Sequence, residues 1–144
     1  VYNVAAFVDT NILLYALSSV DQQQKEKVLI AQSLIQELTH NGNLILSAQF
    51  PSEFVSVSSR KGTPPLSLQK VADVVTELSR NTVIPIEASL ILLALHRVQQ
   101  SRISYWDALI VEAAIRSGAT ILYTEDMHHG MRCGTLELRN PFLL

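Results

Sequence analysis

Short apolar runs at residues 4–8, 44–46, 82–84 and 120–123 alternate with stretches of helical periodicity, and this alternation is the strongest constraint on the fold. None of the runs shows the in-out alternation of a strand with one wet face. Strands apolar at successive positions belong in a mainly parallel sheet covered by helices on both sides. Between them, residues 11–17 read as a helix. Residues 21–40 read as a longer amphipathic one with Val28, Ala31, Ile35 and Leu38 on its inner face. Asn41 and Gly42 stop that helix. Ser47 can cap the next, with Pro51 in its first turn, where the missing N–H is not needed. After a loop at 61–65, Ser67 caps a helix with Leu68, Val71, Val75 and Leu78 inward. Helices at 87–99 and 104–117 follow, the second closed by Gly118, and a polar loop running to Gly134 precedes a fifth strand at 135–138. The expectation is an α/β fold: a mainly parallel sheet of four to five short strands, helices on both faces, residues 1–144 forming one domain.

Open α/β sheets bind ligands beyond the carboxyl ends of their strands. Four acids are expected there. Asp9 follows the first strand, Glu53 lies early in the helix after the second, Asp107 begins the helix feeding the fourth, and Asp126 lies just beyond the fourth. Each alone has an ordinary explanation. Asp9 suits a helix cap. Glu53 flanks the stripe Phe50, Phe54 and Val57. Asp107 can close a capping box with Ser104, and Asp126 can be a turn residue. Together they are harder to dismiss, because clustered carboxylates repel and a divalent cation is the ordinary remedy. All-oxygen donors without thiols or paired histidines suit Mg²⁺ or Mn²⁺. Such ions act on phosphodiesters without a protein nucleophile.

Composition narrows the partners. Only 17% of the 144 residues are charged and 48% are hydrophobic, which leaves less polar surface than a lone domain usually carries and points to a covered face. The net charge of −2 gives no general attraction for nucleic acid, so any binding of nucleic acid must rely on local basic groups or bound cations. Arg60, Lys61, Arg102 and Arg132 lie near the acids in sequence and can steer phosphate, although most surface cations are merely solvated. A single cysteine, Cys133, excludes a disulfide framework and a multi-cysteine zinc site, and no local signature makes it a nucleophile. The chain is expected to be cytoplasmic: it shows no signal peptide, and no apolar stretch approaches the ~18 residues that span a membrane.

Several stretches resemble the PIN-domain family. Phe7-Val8-Asp9-Thr10-Asn11-Ile12-Leu13-Leu14-Tyr15 is similar to the family's opening, including that of VapC-type toxin ribonucleases. Trp106-Asp107-Ala108-Leu109-Ile110 resembles its third acidic motif. Residues 122–130, Leu-Tyr-Thr-Glu-Asp-Met-His-His-Gly, resemble the fourth, and Asn140-Pro141-Phe142 the ending; the second motif, Ser52-Glu53-Phe54, is the least specific. The resemblance implies a Rossmann-like PIN fold and metal-dependent hydrolysis of single-stranded RNA. It makes Asp9, Asp107 and Asp126 direct ligands of Mg²⁺ or Mn²⁺, with Glu53 completing the site or orienting a second ion or water. It makes Asn11 and Thr124 supports of the acidic loops, and a small antitoxin protein the partner, its tail covering the acidic cleft and the helices near Ile12 to Leu38.

Other residues carry milder expectations. Glu112 stands where the family has a small apolar residue, and reads as an outer-face partner of Arg116. Trp106 reads as core, and His128 and His129 as solvated residues within reach of RNA. From Ala88 to Leu95 only Ser89 is polar, so that helix needs cover on two sides. A homodimer is the expected cover, and residues 138–144 folding over it the alternative. Two other activities stay open. A haloacid-dehalogenase-like phosphatase wants an acid where Asn11 stands, and a catalytically silent PIN-fold scaffold would keep the acids without turnover. A receiver domain wants an acceptor aspartate after the third strand, and residues 82–87 offer none.

Overall fold

The computed structural model describes residues 4–17, 24–58 and 66–144. A six-stranded sheet forms its centre, in the order β3-β2-β1-β4-β6-β5. Its strands are β1 (Ala6–Val8), β2 (Leu44–Ser47), β3 (Thr82–Ile84), β4 (Ile121–Tyr123), β5 (Arg132–Cys133) and β6 (Leu136–Arg139). All neighbours pair in parallel except β5 with β6. The expected mixed α/β fold with a mostly parallel sheet is therefore present, with one strand more than expected. The added strand is a two-residue arm of an antiparallel hairpin, turned at Gly134, inside the stretch read as a polar loop. Strands that short carry almost no periodicity of their own.

The strands are apolar at successive positions because both faces are covered. Phe7, Ile45 and Leu122 point to one face, where they meet α5 (Ala88–Gln100) and α6 (Tyr105–Arg116). Ala6, Val8, Leu44, Leu46 and Tyr123 point to the other. There they meet α1 (Thr10–Leu17), α2 (Lys25–His40), α3 (Gln49–Ser58) and α4 (Leu68–Leu78). Each fully buried Leu or Phe on these faces contributes about 1.5–3 kcal/mol. The stops match the chemistry of the sequence: Gly42 follows α2 with φ +71°, a conformation costly for residues bearing a Cβ.

Three side chains depart from the expected pattern. Leu34 rather than Ile35 is fully buried on α2, and Leu68 is exposed because it opens α4, one turn before Val71 reaches the core. Trp106, expected in the core, is 59% exposed, since α6 turns Ala108 and Leu109 toward the sheet instead. The chain's end does not cover α5. The short 3-10 turn Pro141–Leu143 packs against α2, with Phe142 edge-on to Tyr15 at 5.4 Å between ring centres. The alternative cover for α5 is thereby excluded, and Leu92, Leu93 and Leu95 remain exposed.

Candidate functional site

Strand order reverses between β1 and β4, so the crevice beyond their carboxyl ends is the sheet's switch point. Asp9 and Asp126 lie there. Asp9 continues the pairing of β1, its N–H donating to the Tyr123 carbonyl at 3.0 Å. Its side chain is buried. Oδ1 accepts from the Thr10 N–H at 2.7 Å and Oδ2 from the Thr124 hydroxyl at 2.9 Å. Burial pushes the Asp9 carboxyl up to about 6. The hydrogen bonds from Thr124 and Thr10 oppose that shift, and the charges of Asp126 and Asp107 add to it.

Asp126 is held from two sides. Asn11 Nδ2 donates to its Oδ2 at 2.7 Å, and its own N–H donates to Thr124 Oγ1 at 3.3 Å. Thr124 thus touches both loops, giving its proton to Asp9 and accepting from Asp126. Asp107 stands in the first turn of α6, whose cap is Ser104, accepting from the Asp107 N–H at 3.1 Å. The Asp107 carboxyl is raised, first by burial and then by Asp126, against a lowering hydrogen bond from Ser104. The Ser104 cap is present, and the start of α6 places Asp107 on the wall of the cleft that Asp126 also lines.

Glu53 stands on α3, its Oε1 accepting from Gln49 Nε2 one turn earlier, at 2.7 Å. Two buried oxygens at this edge have no partner: Thr10 Oγ1, just after β1, and Gln49 Oε1, just after β2.

Several neighbours of the acids were not legible as such. Lys27 of α2 pairs with Glu125 and lies 5.7 Å from the Tyr15 ring centre and 5.3 Å from that of Phe142. This knot ties α1, α2 and the chain's end to the residue beside Asp126, and only the Asn140-Pro141-Phe142 ending hinted at it. His129 is exposed, as expected, and in addition accepts at Nδ1 from the Asn140 N–H at 3.0 Å. Glu112 is not an outer-face residue: it is 8% exposed and takes Arg97 of α5 at 2.6 Å, leaving Arg116 to Glu87 and Ser89. Arg132 lies on the edge hairpin with Glu137 as its partner, whereas Arg102 lines the cleft with Asp107 and Asp126. Arg60 and Lys61 lie outside the described residues.

The residues at this edge fit a divalent cation in donor type and in charge. They offer carboxylate oxygens acting on one another in a partly buried crevice, beside two oxygens with unspent hydrogen-bonding capacity. As placed, no group of three or more His, Cys, Asp or Glu among the described residues could hold a metal between them. Mg²⁺ does not require one, because it keeps several waters and is commonly held by one or two carboxylates and a substrate phosphate.

Among the described residues no helix is long and apolar enough to cross a membrane. No curated protein matches the chain. Solved structures do. The crystal structure of VapBC2 from Rickettsia felis, bound to a DNA fragment from their promoter, is 22% identical with a TM-score of 0.64, over 95% of this chain and 98% of that one. FitAB bound to an IR36 DNA fragment is 18% identical with a TM-score of 0.66, over 96% of each. At such identities the likeness speaks for the fold. The family model for the PIN domain matches residues 6–129, from the first residue of β1 through the loop of Asp126, and the chain belongs to the PIN-domain family.

Proposed function

We propose that the protein is an endoribonuclease that hydrolyses single-stranded RNA with Mg²⁺ or Mn²⁺, and that it is the toxin of a toxin–antitoxin pair. PIN domains are generally nucleases. The observation that carries the reading is geometric: Thr124 joins Asp9 and Asp126 at the switch point of the sheet, and Asp126 lines one cleft with Asp107. Asp9, Asp107 and Asp126 would hold the ion, with Glu53 completing the site from α3. When bound, it would supply the Lewis acidity that draws charge from a phosphodiester and eases ionisation of the attacking water. The chain's own contribution is orientation. Thr124 and the Thr10 N–H fix both oxygens of Asp9, Asn11 fixes one oxygen of Asp126, and Ser104 anchors the turn that presents Asp107. Burial of Asp9 keeps its charge poorly solvated, which favours a cation partner.

Incubation of the purified protein with single-stranded RNA tests the reading: cleavage with Mg²⁺ or Mn²⁺, abolished by EDTA and restored by added metal, is expected. Undiminished cleavage in excess EDTA sinks it. That no three acids among the described residues could hold a metal between them as placed favours a second reading, a silent PIN-fold scaffold; absence of cleavage with either metal would select it.

The toxin reading draws on the VapC-like opening of the sequence and on the VapBC2 and FitAB neighbours. A small antitoxin would cover the acidic cleft and the helices α1 and α2, where Leu17 and Leu29 are exposed. Co-expression with the product of an adjacent small gene should give a complex on pull-down. No complex, with no growth defect when the protein is expressed alone, would remove this part of the proposal.

A further inference from the structure

Beside Asp107 and Asp126 lies a cleft of about 450 Å³, a volume that admits one nucleotide unit. The acids occupy one side. Elsewhere it is lined by Arg102 and His129, and by the apolar side chains of Ile103, Met131 and Leu143.

His129 is the informative residue. It sits in a turn closed by the Met131 N–H on the His128 carbonyl at 3.1 Å, and Gly130, with φ +84°, supplies the backbone conformation the turn needs. The turn is tied down again by the Gly130 N–H on the Leu138 carbonyl at 2.8 Å. Its Nδ1 accepts from the Asn140 N–H, so that nitrogen carries no proton and the neutral ring carries its hydrogen on Nε2. Asn140 is itself fixed, its Oδ1 accepting from the Phe142 N–H at 2.9 Å. Without the hydrogen bond from Asn140 an exposed histidine such as this one would be free to present either nitrogen. This one is a donor of set tautomer on the wall of a cleft whose other face is carboxylate.

We infer that this cleft is a subsite for one unpaired nucleotide next to the scissile phosphate. Arg102 and the Nε2–H of His129 take its phosphate, and its base lies against Ile103, Met131 and Leu143. The inference rests on the nuclease reading for the position of the scissile bond, and goes beyond it in naming the groups that select a single strand. Donors and an apolar wall suit a phosphate with its base turned out of a stack; a base held in a duplex cannot turn its face to such a wall. The placement also answers the unfavourable net charge of −2, because the phosphate meets a cation and a neutral donor locally.

Fluorescence anisotropy with a labelled single-stranded RNA, in EDTA so that binding is read without turnover, tests it. Arg102→Gln should weaken binding about tenfold and lower the slope of log affinity against log salt by about 0.7, one phosphate contact on a single strand. His129→Ala should weaken binding about fivefold with the salt slope unchanged, as a neutral donor requires. His129→Gln, which can accept from Asn140 and still donate, should restore most of the loss. A duplex of the same sequence should bind without sensitivity to His129. Variants that bind as the wild type does, or a duplex that depends on His129 equally, overturn the subsite. So does a wild-type chain without RNA affinity, or variants that lose capture of a protein partner while keeping RNA. If the binding pattern appears but Mg²⁺ and Mn²⁺ yield no cleavage, the nuclease reading falls and the subsite stands.

Discussion

Asp9 is the residue on which stability and chemistry oppose one another most directly. Its folded carboxyl, near 6, lies above the ordinary 3.8, so the folded chain binds that proton more tightly than the unfolded chain does. The associated stability is fully present below about pH 4 and is lost as pH rises to about 6. Without divalent cations, Asp9→Asn should therefore raise stability at pH 7 by about 1–3 kcal/mol and flatten the pH dependence of unfolding between pH 4 and 6. Thermal denaturation in EDTA across that range checks this; superimposable curves for the two proteins would contradict it. Added Mg²⁺ or Mn²⁺ should raise the melting temperature of the wild type and leave the variant nearly unmoved. In the cleavage assay Asp9→Asn and Asp107→Asn should each reduce turnover at least a hundredfold, with circular dichroism unchanged. Full activity in both would mean that the acids were wrongly assigned.

At the scale of elements, α6 carries both a cap that orients an acid and a partly buried ion pair that anchors its middle. Ser104→Ala removes the oxygen that accepts from the Asp107 N–H and should cost about 1 kcal/mol, with a loss of activity larger than that stability change explains. Glu112 and Arg97 join α6 to α5 in partial burial, so Glu112→Ala strands the guanidinium and should cost about 1–3 kcal/mol. Glu87→Ala, which leaves Arg116 with Ser89 at an exposed site, should cost far less. Urea denaturation of the two variants side by side gives the ordering, and equal costs would show that the Glu112 pair is no better shielded than the surface one.

For the whole molecule, the unresolved demand is cover for α5. Only Leu90 and Ala94 of that helix are fully buried, against α6 and the sheet, while Leu92 is 66% exposed with Leu93 and Leu95 beside it. The chain's end is engaged with α2 and Tyr15 and does not reach them. A two-fold pair through α5 is the commonest way to hide such a face. Light scattering at micromolar concentration should give about twice 16.0 kDa, falling toward one chain for Leu92→Glu with folding retained. A wild-type mass near that of one chain would exclude a stable dimer.

The alternation of apolar runs and amphipathic stretches determined the layered α/β fold by itself, because parallel strands covered on both faces must be apolar at successive positions. The strand-end positions of Asp9 and Asp126 followed from that pattern, and the Ser104 cap was local enough to read. The two-residue β5 was not, since pairing across Gly134 rather than periodicity makes it a strand. Nor was the partner of Glu112. Helical spacing offers Arg116 four residues on, but the packing of α5 on α6 brings Arg97 from fifteen residues away into a drier place, where an ion pair is worth more. Trp106 was misjudged for the same reason, because which side of α6 meets the sheet is decided by the sheet's position. The meetings of His129 with Asn140 and of Lys27 with Glu125 depend on distances between elements. A one-dimensional pattern specifies faces and stops, whereas the meeting of residues far apart in the chain is settled only when the layers close on one another.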